Sequence, residues 1–193
     1  PLVWLGSMIP RRSTMAADRH LGNGDVEAAE RSARERLKAK PADRSALRTL
    51  QRSLHAQGRF AEAAEAARTH AANAGRSGSA RLVSLGGLAW ELLCAVESGQ
   101  LELDRVEDDI ATSLQQAQRH ASTGTTLAGT HALHHLVHGR LGDAVHHARE
   151  AIVWDRERTA RADDLVTLSE ALAALGESEE AASALAESQS LWP

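Results

Sequence analysis

Four times in this chain a glycine is followed five residues later by an alanine: Gly24/Ala29, Gly58/Ala63, Gly139/Ala144 and Gly176/Ala181. Glycine tolerates the left-handed backbone with which a helix ends in a tight turn, and an alanine early in the next helix lets two backbones come close. The recurrence predicts an array of helical hairpins, each burying its apolar face on its neighbours. Arrays of this kind present extended concave surfaces to other molecules.

The first two copies set the period. Gly24 and Gly58 are 34 residues apart, and the match runs on into both helices. In the second copy Leu47, Leu50 and Leu54 form the apolar stripe of the first helix, Gln57-Gly58-Arg59-Phe60 the turn, and Ala63 and Ala67 the inner face of the second helix. In the first copy Val26 stands in the place of Phe60, Ala29 and Ala33 in those of Ala63 and Ala67, and Lys40-Pro41-Ala42-Asp43 closes the unit. Proline cannot continue a helix interior, so Pro41 marks a boundary.

Over residues 13–72 these positions resemble the tetratricopeptide repeat (TPR) family, with a large apolar residue early in the first helix, Gly before the turn, Ala in the second helix and Pro at the end. The resemblance implies an all-α, right-handed superhelical solenoid of about five helix-turn-helix hairpins, with the first helix of each hairpin lining the concave side. Later units depart from the pattern: the glycine spacing becomes 41, 40 and 37 residues, through Gly99, Gly139 and Gly176, and Asp104 stands where the third unit should carry its alanine. Helices are expected at about 13–22, 25–39, 44–57, 60–74, 79–98, 103–121, 125–138, 141–155, 161–175 and 178–191.

The domain reading follows this punctuation. Gly6-Ser7-Met8 reads as a cloning junction, which makes residues 1–7 an expression scar and 8–193 one TPR-like domain. Regular units occupy 10–74, a Gly/Ser-rich loop 75–79, and degenerate units 80–193. The last hairpin carries Leu165, Leu168, Leu172 and Leu175 opposite Ala181, Ala184 and Leu185, so the core is expected to run to its end. Ser190-Leu191-Trp192-Pro193 stops abruptly without a polar capping helix. The expectation is a fragment of a larger protein, or an end that packs on a second copy as a homodimer.

Composition narrows the partners. A formal charge of −4 and a pI near 6.2 argue against general nucleic-acid binding, which needs a basic surface. Aromatics make up only 3% and tyrosine is absent, which favours packed helices over strands. No apolar stretch reaches the roughly 20 residues of a membrane span. Cys94 is the one cysteine and lies in the run Leu92-Leu93-Cys94-Ala95-Val96, so no disulfide framework exists and a reducing cytoplasm is expected.

Transferring the repeat's register from glycine to glycine gives a candidate groove. It places Arg48, Arg52 and His55 of unit two on the concave side, Ala89, Trp90, Leu93 and Val96 of unit three, and Leu133, Leu136 and Val137 of unit four. The expected function is a non-catalytic interaction module that holds a peptide or helix with acidic flanks on an apolar floor edged by arginine. The competing reading is that the helix of unit three is apolar all round because its neighbours or a dimer partner cover it. In style the alanine- and arginine-rich, degenerate repeats also resemble the helical-repeat regions of large bacterial transcriptional regulators.

His131, His134, His135 and His138 fall within about a third of one helix circumference, and His146 and His147 follow in the next helix. The pairs His131/His135 and His134/His138 have the i, i+4 spacing with which one helix can present two imidazoles to zinc, nickel, copper or haem iron. This supports the alternative function, a ligand-, metal- or haem-binding helical protein using the His131–His147 region. No glutamate completes a His-Glu-x-x-His motif, however, and no cofactor is expected from the sequence. The plainer alternatives are buried neutral histidines or histidines on a wet face. With no phosphate loop and no Gly-x-Ser-x-Gly elbow, the chain reads as more a binding protein than an enzyme. Asp163, Asp164, Glu179 and Glu180 are expected near helix starts, where the dipole favours acids.

Overall fold

A computed structural model describes residues 23–75, 78–121, 127–154 and 158–191. Among these residues there are nine α-helices and no strand: α1 (Val26–Ala39), α2 (Arg44–Ala56), α3 (Phe60–Ala72), α4 (Gly78–Glu97), α5 (Leu103–Gln118), α6 (Ala128–Val137), α7 (Leu141–Trp154), α8 (Arg158–Leu175) and α9 (Ser178–Leu191). The helix expected at 13–22, the cloning junction at 6–8 and the terminal Trp192-Pro193 lie outside the described residues.

The turns explain the glycines. Gly24, Gly58, Gly99, Gly139 and Gly176 all have φ between +68° and +87°. At four of them the next amide donates to the carbonyl five residues back: Arg59 to Leu54 (2.9 Å), Gln100 to Ala95 (2.8 Å), Arg140 to His135 (2.9 Å) and Glu177 to Leu172 (2.9 Å). This bond satisfies a carbonyl that the ending helix would otherwise orphan, and it needs a left-handed residue in between. Among the described residues nothing within 4 Å would meet a side chain at these five glycines, so the requirement is backbone conformation rather than space.

The alanines meet the neighbouring helix as the repeat predicts. Ala29, Ala33, Ala63, Ala67, Ala144 and Ala148 are fully buried, and Ala181 and Ala184 nearly so. Asp25 and Asp43 cap α1 and α2 by accepting from the amides of Ala28 and Ala46, each at 3.1 Å. Unit three departs at its turn. Its second helix begins four residues after Gly99, whereas α1, α3, α7 and α9 begin two residues after their glycines. Counted from the helix start, Val106 occupies the position of Ala63, and it is buried in place of the missing alanine.

Neighbouring helices pair along the chain, from α1·α2 to α4·α5 and from α6·α7 to α8·α9. In addition α4 packs on α6, and α6 on α8. One core cluster joins α3, α4, α5 and α6 around Leu92, Leu93, Ile110 and Leu133, and a second joins α6 to α9 around Ala144, Leu165 and Leu172. Helix α4 is central to the first cluster and is 61% buried over its most apolar stretch, although its length and composition alone would suffice to cross a membrane. The sequence expectation that no stretch reaches that length is corrected here. The helix is apolar around most of its girth because α3, α5 and α6 enclose it.

Two further expectations change. Gly78 and Ser79, assigned to the loop, belong to α4. Helix α8 begins at Arg158, three residues earlier than expected, so Asp163 and Asp164 lie past its first turn and are not dipole partners; Glu179 and Glu180 do occupy the first turn of α9.

If close alanine contact holds the array together, Ala63→Leu should lower the unfolding free energy by about 1–3 kcal/mol. The same change at exposed Ala173 should stay within about 0.5 kcal/mol. Urea denaturation followed by circular dichroism measures both, and equal midpoints for the two variants would contradict the interlock.

Candidate functional site on the inner wall

The first helices of units two, three and five meet through polar side chains. His55 of α2 lies with Nδ1 3.0 Å from Oε2 of Glu91 on α4 and with Nε2 3.8 Å from Oδ2 of Asp163 on α8. Gln51, one turn before His55, donates to the other Glu91 oxygen at 3.1 Å. The Phe60 ring stands edge-on to His55 at 5.1 Å. Glu91 is only 3% exposed, so this carboxylate depends on Gln51 and His55 for its hydrogen bonds.

The charges shift accordingly. Burial alone would lower the His55 pKa, but the Glu91 hydrogen bond and the charges of Glu91 and Asp163 raise it above its usual 6.5. Asp163 is pushed up to about 6, first by burial and further by Glu91, with His55 opposing. Farther along the same two helices Glu97 of α4 lies beside Glu170 of α8, and burial together with this second carboxyl pushes Glu97 up to about 8. Both residues keep one side in solvent. Burial pushes the Cys94 thiol well above its usual value, with Glu91 and Glu97 adding to the effect. This fits an inert core thiol.

The expected groove residues divide into three groups. Arg48 and Arg52 are exposed and His55 is half-buried; Arg48 and His55 are seven residues apart on one face of α2. Trp90, Leu136 and Val137 are half-buried against the first core cluster. Leu93 and Leu133 are 0% and 1% exposed, so the apolar floor assigned to them is filled by the chain's own core. The reason is rotation: α4 and α6 turn Leu93 and Leu133 toward α5 and toward each other instead of toward the groove. Glu91, Asp163, Glu97 and Glu170 were missed. The only signal for Glu91 was its position as a lone charge in the apolar run Leu88–Val96.

The histidines of α6 take a middle position. With Leu133 in the core, His131, His134 and His135 are half-buried on the flanks, and burial lowers the pKa of each below 6.5, aided by neighbouring histidine charge. His135 stacks on His147 of α7 at 5.2 Å and 3°. His131, His135, His147 and Glu150 line a cavity of about 580 Å³ whose wall is completed by Leu127 and Gln118. On the other flank His134 and His138 face Glu107 of α5.

This architecture is a TPR-like solenoid. No family model matches the sequence, and no curated protein does. Among solved structures the chain is similar to the nearly identical TPR-like repeats of a Podosopora anserina protein described as a putative kinesin light chain, with 19% identity, a TM-score of 0.54 and coverage of 94% of this chain and 93% of that one. A glutamine-to-methionine variant of the same repeats gives a TM-score of 0.56 at the same identity and coverage.

The shifts predict the pH dependence of stability. A carboxyl that the fold keeps protonated takes up protons on folding, so Glu97 costs stability as pH rises from about 4.5 to about 8, and Asp163 from about 3.8 to about 6. His55, raised, contributes stability below 6.5 that is lost as pH rises through its folded value. His70, His131, His134 and His135, lowered, cost stability only as pH falls below about 6.5. The melting temperature should therefore decline from pH 6.5 to 8.5, and Glu97→Gln should flatten that decline. Parallel curves for the variant and the parent protein would refute the carboxyl pairing.

Proposed function

We propose that the chain is a non-catalytic protein-interaction scaffold that receives an acidic peptide or helix along α2. The observation that carries this reading is the arginine row of that helix. Arg44, Arg48 and Arg52 recur at every fourth position, all exposed, and none has a carboxylate within 4 Å among the described residues. Arg34, Arg36, Arg59, Arg68, Arg149 and Arg161 are each paired with Asp or Glu, and Arg31, Arg81, Arg119 and Arg140, which are not, stand singly rather than in a row.

Helical register places the row on the face of α2 that carries His55, at the edge of the inner wall. Planar guanidinium groups left unpaired on a rigid helix suit bidentate recognition of carboxylates. Half-buried Trp90, Leu136 and Val137 offer apolar area for a partner that also carries hydrophobic residues. The solenoid class supports the reading, because stacked hairpins give extended surfaces rather than an enclosed reaction chamber.

Affinity capture from the source organism, with the parent protein and Arg48→Glu/Arg52→Glu compared by mass spectrometry, tests the reading. The double variant should keep its helical circular dichroism and lose its specific partners, with at least a tenfold fall in affinity (about 1.4 kcal/mol) for any partner reconstituted from the capture. Retention of the same partners at equal affinity would mean that the row is not the docking site.

A further inference from the structure

The geometry points to a zinc-type divalent-metal site formed by Glu107 of α5 with His134 and His138 of α6, leaving a fourth coordination position open. His134 and His138 are one helical turn apart with ring centroids at 4.4 Å. Glu107 faces both from the neighbouring helix: Oε2 lies 3.2 Å from His138 Nε2 and Oε1 lies 3.7 Å from His134 Nε2. All the ligand atoms fall within 4.8 Å of one another. An ion about 2.0–2.1 Å from each would set them roughly 3.3 Å apart, so the widest pair need close by only about 1.5 Å.

The hydrogen bonding supports a cation at this point. Among the described residues Glu107 Oε2 and His134 Nε2 are enclosed and have no hydrogen-bond partner, which is uncommon for buried polar atoms. His138 Nδ1 lies 2.8 Å from the His134 carbonyl oxygen and donates to it. In a neutral ring this leaves a lone pair on Nε2, which lies 3.2 Å from a Glu107 oxygen with no hydrogen bond between the two. A ring nitrogen held by a backbone carbonyl is also the usual outer support of a metal-binding histidine.

One neighbour opposes the ion. Arg140 Nη2 lies 3.3 Å from His134 Nδ1 and donates to it, whereas a metal on Nε2 requires the proton on Nδ1. The side chains of His134, His138 and Glu107 are 17%, 25% and 37% exposed, which leaves an entry path. Two neutral imidazoles and one carboxylate match the donor set of open zinc sites. An ion there would tie the second helix of unit three to the first helix of unit four, where α6 otherwise packs on α4, α7 and α8. The group His146, His147 and Glu150 comes from α7 alone and serves as the internal control.

The test uses tag-free protein stripped by a chelator and titrated with Co²⁺ and then Zn²⁺. One equivalent of Co²⁺ should give visible d–d bands that Zn²⁺ abolishes, and Zn²⁺ should raise the melting temperature. Glu107→Gln and His138→Gln should each weaken binding at least tenfold, His147→Gln should leave it unchanged, and Arg140→Ala should tighten it. Loss of binding in His147→Gln with retention in His138→Gln would overturn the assignment, as would no saturable binding by the parent protein. Should a variant misfold, imidazole ¹⁵N spectra of the parent protein decide: zinc must shift Nε2 of His134 and His138, and shifts confined to other histidines would overturn the site.

Discussion

The architecture depends on helices meeting where there is almost no side chain. Ala29, Ala33, Ala63, Ala67, Ala144 and Ala148 are fully buried, and a methyl group at each crossing fixes how closely the helices approach. The turns make that approach repeatable. At Gly58, Gly139 and Gly176 a left-handed glycine followed by an amide bonded five residues back starts the second helix two residues later, so the alanines arrive in register. Neither device suffices alone. A tight turn followed by bulky side chains would splay the hairpin, and alanines after an irregular turn would face solvent.

Unit three shows what happens when the pattern loosens. Two extra residues follow Gly99, Val106 takes the alanine position, and a branched side chain there demands a wider helix spacing. The unit compensates with apolar mass: α4 carries Leu82, Leu85, Leu88, Leu92 and Leu93 into the core and anchors α3, α5 and α6 at once. That concentration of leucine makes α4 resemble a membrane segment by composition, while its neighbours cover most of it.

The glycine and alanine positions were legible because their requirement is local: a turn needs a left-handed residue wherever its unit sits. Most helix starts were legible for the same reason, through Pro41 as a boundary and the glycine turns. The inner wall was not. Helix α4 is apolar on nearly every side, so periodicity could not say which side its neighbours would leave open, and Leu93 and Leu133 went into the core. His55, Glu91 and Asp163 come from helices 36 and 72 residues apart in sequence, and nothing near any one of them announces the other two. The rotation of α6, which splits its histidines between α5 and α7, is likewise set by where Leu133 finds a hole.

The contrast between α2 and its neighbours follows from charge placement. In and beside α1 and α3 most arginines find acids within a turn or across the adjoining helix, as Arg34 does with Glu30, Arg59 with Glu62 and Arg68 with Asp109, while Arg31 does not. Helix α2 contains no acid at all between Arg44 and Ala56. The nearest carboxylate of α4, Glu91, is already engaged by Gln51 and His55. Arg44 also sits in the first turn, where the helix dipole disfavours a cation, and together with Arg48 it adds charge that helps to lower the pKa of buried His70. Three cations kept in one row against local electrostatics are what the proposed acidic partner would neutralise.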